Sequence, residues 1–116
     1  MKDRKQSPIF TKTSDFIIWL LDHTEKFPKS ERFRMAKRLE DSVFSFHELL
    51  IEAARSTKRK RMLLIQADVQ LEKLRIYVRM AQRRKLTSTS QYHFAAGVLV
   101  EIGKLLGGWL KTLPES

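Results

Sequence analysis

The feature that most constrains this chain is a hydrophobic rhythm, stepping alternately by three and four residues, that recurs three times. It reads Ala36, Leu39, Val43, Phe46, Leu50 and Ala53, then Leu64, Ala67, Leu71, Leu74, Val78 and Ala81, then Tyr92, Ala95, Leu99, Ile102, Leu106, Trp109 and Leu113. An α-helix turns once every 3.6 residues, so these steps keep the apolar side chains on one stripe, the seam of a helix packed in a left-handed bundle. A shorter stripe, Phe16, Leu20, His23 and Phe27, precedes them. The middle of the chain carries almost no helix breakers, and no Asn-Gly or Asp-Gly turn or sustained period-two alternation signals strands. The expected fold is all-α, an up-down-up-down antiparallel four-helix bundle, because short connections place successive helices side by side.

Boundary signals divide the 116 residues further. Residues 1–13 are polar, basic and aperiodic, and are expected to form a mobile tail; residues 14–113 are the bundle domain, and 114–116 a short C-terminal tail. Ser14 followed by Asp15 reads as the N-cap of helix one, which Pro28 terminates. Ser30 followed by Glu31 reads as the N-cap of helix two, running to about Ser56. Helix three spans about Arg61 to Arg84. Ser88 with Gln91 forms a capping-box pattern opening helix four. No secretory leader is read at the start, since the first apolar run, Phe16 to Leu21, is short and followed by Asp22. With no cysteine for disulfides or thiolate metal sites, a cytoplasmic location is expected.

Helix four is not composed like a surface helix. Beside its seam runs a second stripe, Ala96, Val100, Gly103, Gly107 and Leu110, in which two glycines one turn apart would admit another backbone. A helix that is apolar nearly all round is buried on more than one side. Membrane insertion is disfavoured, because Glu101 and Lys104 sit mid-segment and central charges cost about 2.5–3.5 kcal/mol each on insertion scales. Burial against a second subunit is the better account, so a homo-oligomer joined through this stripe is expected.

Charge points to the partner. Lys and Arg total 23 against 13 Asp and Glu, a formal net charge of +10, which favours an anionic partner such as nucleic acid. If the helices alternate in direction, one end of the bundle gathers Lys26, Lys29, Arg32, Arg34, Lys37, Arg38, Arg79, Arg83, Arg84 and Lys85 against Glu25, Glu31 and Glu40. The other end carries Arg55, Lys58, Arg59, Lys60 and Arg61, expected as a solvated mobile loop. Arg75, Arg79 and Arg83 repeat every four residues and stack along helix three; Glu72 can relieve the first two, which leaves Arg83 uncompensated within the helix. Such a ladder suits a polyanion, since the planar guanidinium matches phosphate. The candidate nucleic-acid-binding residues are therefore Arg34, Lys37, Arg38, Arg75, Arg79, Arg83, Arg84 and Lys85. Tyr92 and His93 lie beside this end, but Tyr92 begins the core seam, which makes packing its expected role. No zinc-finger, basic-zipper or RNP pattern appears, which favours reading of shape and charge over sequence.

No catalytic constellation is legible. His23, His47 and His93 each lack a matching ligand set; His47-Glu48 begins like a zincin motif, yet Ile51 stands where the second histidine belongs. Gly103-Lys104 has no phosphate-cradling loop and no following Ser or Thr. Neither an enzyme, a metal site nor a cofactor is expected.

Two stretches resemble a known family. Phe27-Pro28-Lys29-Ser30-Glu31-Arg32-Phe33 and Glu101-Ile102-Gly103-Lys104-Leu105-Leu106-Gly107-Gly108-Trp109 are similar to the accessory variability determinant (Avd) proteins of diversity-generating retroelements. Leu71-Glu72-Lys73-Leu74-Arg75 with Arg79 adds to the likeness. The resemblance implies a homopentameric barrel of basic four-helix bundles that binds the element's reverse transcriptase and RNA, with DNA as a second candidate. In that role it would support mutagenic reverse transcription, the chemistry belonging to the reverse transcriptase. Proteins encoded by intervening sequences in bacterial 23S ribosomal RNA genes resemble the chain in the same way. An oligomeric interaction module that docks an acidic protein and binds no nucleic acid is the remaining alternative.

Overall fold

The structure is a computed structural model that describes residues 6–114. Its elements are α1 (Ser7–Glu25), a 3-10 turn (Lys29–Glu31), α2 (Met35–Arg55), α3 (Lys60–Arg83) and α4 (Thr89–Lys111). Each helix packs on the next in sequence and α4 returns to α1, closing the up-down-up-down bundle. Every seam residue of α2 and α3 is buried, as are Ala95, Leu99, Ile102, Leu106 and Trp109 of α4. Tyr92 and Leu113, at the ends of the α4 seam, pack against the core while staying partly exposed.

Two helix starts differ from the expectation. Helix α1 begins at Ser7 instead of Ser14, with Pro8 in its first turn, where proline's fixed φ and missing N–H carry no penalty. Ile9 and Thr13 are wholly buried, and Phe10 meets Trp109 edge-on at 6.0 Å. Residues 7–13 of the expected tail thus form two further turns of the bundle; residues 1–5, and 115–116 of the C-terminal tail, lie outside the described residues.

Ser30 caps no helix. The chain passes through the 3-10 turn, and α2 starts only at Met35. The reason is Glu31, whose buried carboxylate turns inward instead of lying along a first helical turn. The Ser88 capping box is present in full: Gln91 N–H donates to Ser88 Oγ at 3.1 Å, and Ser88 N–H donates to Gln91 Oε1 at 2.8 Å.

Candidate nucleic-acid interface

At the end where α2 passes to α3, Lys60 Nζ donates to the carbonyls of Ala53 at 2.7 Å and Ala54 at 3.5 Å, and lies 5.7 Å over the Trp109 ring. Arg61 donates to the carbonyls of Leu113 at 3.0 Å and Pro114 at 3.1 Å. The last carbonyls of a helix lack intrahelical donors and carry partial negative charge, so Lys60 closes the C-terminus of α2, while Arg61 ties down the segment just beyond α4. Ser56 Oγ accepts from Arg59 N–H at 2.9 Å. The segment expected as a solvated mobile loop is therefore tied down at three points, and two of its cations serve the fold.

At the opposite end, a single carboxylate organises the backbone. Glu31 Oε2 accepts from Arg84 Nη2 at 2.6 Å and lies 3.9 Å from Arg34 Nη1, while Oε1 accepts from the N–H of Met35 at 3.4 Å. The Arg84 hydrogen bond, above all, holds the carboxyl below its ordinary range; burial works against this, and the Met35 N–H and the charges of Arg84 and Arg34 reinforce it. Nearby, His23 Nε2 and Thr87 Oγ1 share a 2.8 Å hydrogen bond between buried groups, joining α1 to the α3–α4 connection. Trp19 stacks on the His23 ring at 4.9 Å. Burial, and then the charge of Lys26, lower the His23 pKa.

The α3–α4 connection has a notable backbone. Lys85 has φ +66°, the left-handed region that favours glycine. Leu86 N–H donates to the Ala81 carbonyl at 2.9 Å and Lys85 N–H to that of Gln82 at 2.9 Å. These two bonds are the Schellman closure of a helix C-terminus, with lysine in the position usually held by glycine. The ammonium is thereby carried past the end of α3 on a sharply turned backbone.

Seven of the eight candidate residues lie toward this end of the bundle, though not on one face, whereas Arg75 lies at mid-bundle against the middle of α4. Arg75 pairs with Glu72 at 3.3 Å and reaches across α4 to the Leu99 carbonyl at 3.4 Å. Lys37 pairs with Asp41 at 2.9 Å. Arg34 and Arg84 share Glu31. Arg79 lies 6.0 Å over the Tyr92 ring. Arg83 and Arg84 flank a recess with Met35 and Met80, whereas Arg38 lines the groove between α2 and α3 with Lys73 and Tyr77. Among the described residues, Arg38, Arg79, Arg83 and Lys85 pair with no carboxylate. They are exposed, and of the eight candidates are the cations most available to an anion.

The proposed helix-four stripe is partly occupied from within the chain. A Cβ at Gly103 would collide with the guanidinium of Arg75, so within the protomer an arginine of α3 lies over that glycine. Gly107 faces open space and Val100 is half exposed. An apolar surface that sequence reasoning missed lies on α3. Met62, Ile65, Val69, Ile76 and Met80 are all exposed, and their steps of three, four, seven and four place them on one line, on the side of α3 opposite its seam. That line was legible as a second helical period, hidden by the charged residues between.

Among the described residues no group of three or more His, Cys, Asp or Glu could hold a metal ion, and no helix is long and apolar enough to cross a membrane. A comparison with curated proteins finds no match. The family model described as bAvd-like matches residues 8–113, from the first turn of α1 to just beyond α4. A match over nearly the whole bundle shows the family: the chain belongs to the bAvd-like family of four-helix bundle proteins.

Proposed function

We propose that this protein is a non-enzymatic accessory subunit of a diversity-generating retroelement, acting in the cytoplasm, that holds RNA beside the reverse transcriptase during mutagenic reverse transcription. One observation carries the nucleic-acid part: Arg38, Arg79, Arg83 and Lys85 are exposed at one end of the bundle and, among the described residues, pair with no carboxylate. Membership of the bAvd-like family supports the retroelement setting. Phosphate contacts of this kind supply affinity without sequence reading, and they weaken steeply as salt rises. The test is a gel-shift series with RNA over rising salt, together with copurification of the reverse transcriptase encoded beside the gene. RNA binding that fades with salt, and a complex with that enzyme, are expected; no binding to RNA or DNA at low salt would favour docking on an acidic protein. A gene position inside a 23S ribosomal RNA gene would favour the intervening-sequence setting.

The assembly is proposed as a homo-oligomer, with five copies in a ring as the form the family resemblance implies. Two exposed apolar faces support it. The C-terminal half of the α3 line, Ile76 and Met80, is bordered by Lys73, Arg79 and Arg83; Phe44 and Ile51 of α2 are bordered by Glu48 and Glu52. Faces of opposite charge on different sides of one protomer suit a head-to-tail contact, which closes into a ring. Val100, Gly107 and Leu110 of α4 remain part of the proposed contact, with Ala96; Gly103 is covered by Arg75. Sedimentation of the native protein and of Ile76→Lys tests it, a monomeric native mass being the contrary result.

A further inference from the structure

Phe33 is 79% exposed, more than any other large hydrophobic residue among those described. Its setting is unusual for an exposed ring. Arg32 and Arg34 flank it in sequence, Lys29 lies one turn back, and all three are exposed. The segment that carries it is held firmly: Glu31 N–H donates to the Pro28 carbonyl at 2.8 Å, Arg34 N–H to the Glu31 carbonyl at 3.1 Å, and the Glu31 side chain is clamped by Arg84. The ring is thus presented to solvent on a fixed backbone among cations.

A partner that covers such a ring must offer a flat apolar face and negative charge within the same few ångströms. A second copy presenting this same end would bring like charge to like charge, and one presenting its acidic α2 face would show as a change in sedimenting mass when Phe33 is replaced. An unpaired nucleotide meets both demands, its base supplying the π-face and its phosphate the charge. A duplex does not, because its bases are already stacked inside. We propose that Phe33 is a stacking platform for an unpaired base of single-stranded RNA, with Arg32 and Arg34 holding the adjacent phosphates. The proposal rests on the nucleic-acid reading above and adds to it a preference for single strands.

The experiment measures binding of the full chain to a short oligouridine, to an abasic oligonucleotide of equal length and to a duplex RNA, for the native protein, Phe33→Ala, Phe33→Leu and Phe33→Trp. Loss of one stacked base should weaken oligouridine binding about 10- to 100-fold in Phe33→Ala. Phe33→Leu, apolar without a π-face, should lose nearly as much, and Phe33→Trp should bind as well as native or better. Abasic and duplex binding should stay within about twofold of native, since phosphate contacts alone serve there. Two results overturn the proposal: native-like oligouridine binding by Phe33→Ala, or an equal loss on all three ligands. If Phe33→Ala also changes the sedimenting mass, the ring is an interface between protein chains and the proposal falls. Binding lost in an Arg38, Arg83 and Lys85 alanine variant but kept in Phe33→Ala would leave the nucleic-acid reading standing; no native binding at low salt would remove both.

Discussion

Arg84 Nη2 donates to Glu31 Oε2 over 2.6 Å, and this one contact fastens the end of α3 to the turn between α1 and α2. The carboxylate is almost wholly buried, while the guanidinium remains half exposed. Arg84 therefore has a structural task besides any role toward an anion, which sets it apart from Arg38, Arg83 and Lys85.

Glu31→Gln is expected to lower the melting temperature clearly more than Asp41→Asn, whose exposed pair with Lys37 contributes about 0.5 kcal/mol or less. The pH dependence follows from the lowered folded-state pKa. Between that pKa and the ordinary 4.5, the unfolded chain binds more protons than the folded one, so stability is full above 4.5 and is lost as pH falls through the folded value. Thermal melts of both proteins in acid check this; the native protein should lose stability over that range, and Glu31→Gln should lose less.

His23 gives a second dependence near neutrality. Its folded pKa lies below the ordinary 6.5, so the unfolded chain takes up the proton first and stability falls as pH drops below 6.5, levelling off once the folded state is protonated too. His23→Phe keeps a ring beside Trp19 and Phe27 and should remove this component. Thr87→Val, which deletes the partner hydroxyl, should cost about 1 kcal/mol at pH 7. Melts from pH 7.5 to pH 5.5 separate the two effects.

Lys85→Gly should move stability and binding in opposite directions. Glycine relieves the left-handed strain, for a gain of roughly 1 kcal/mol, while removal of one cation should reduce the log–log salt slope of RNA binding by about 0.7. Chemical denaturation and a salt titration on the same variant check both signs.

The first turns of α1 offer a test of where the bundle begins. Ile9 is wholly buried, so Ile9→Ala should cost about 2–5 kcal/mol, a loss that a residue in a mobile tail would not produce. Thr13 Oγ1 is buried without a hydrogen-bond partner, and Thr13→Val should be neutral or stabilising by up to about 1 kcal/mol. Denaturant melts of the two variants distinguish a packed helix from a tail.

These residues also mark where sequence reasoning succeeded and where it stopped. The seams from Ala36 to Ala53 and from Leu64 to Ala81 were legible because helical periodicity is local and repeats over six positions. Ile9 and Thr13 extend the stripe of Phe16, Leu20, His23 and Phe27 by steps of four and three, but Thr13 is polar and Ser14-Asp15 imitates a cap, so the true start at Ser7 was masked. The displaced start of α2 depends on Glu31 meeting Arg84, 53 positions away, which no local pattern encodes. The basic end was legible as charge; which cations brace the fold and which face solvent was not. Arg75 over Gly103 and Lys60 on the α2 carbonyls are outcomes of packing between helices.

Cations at the α1–α2 and α3–α4 end are proposed to hold nucleic acid. The most direct test is the salt dependence of RNA binding, by fluorescence anisotropy, for the native protein and for Arg38, Arg83 and Lys85 changed together to Ala. Each contact to a single strand contributes about 0.7 to the log–log slope, so the triple variant should bind more weakly at low salt with a slope smaller by about 2. An unchanged slope and affinity in a variant that melts like the native protein would contradict the account.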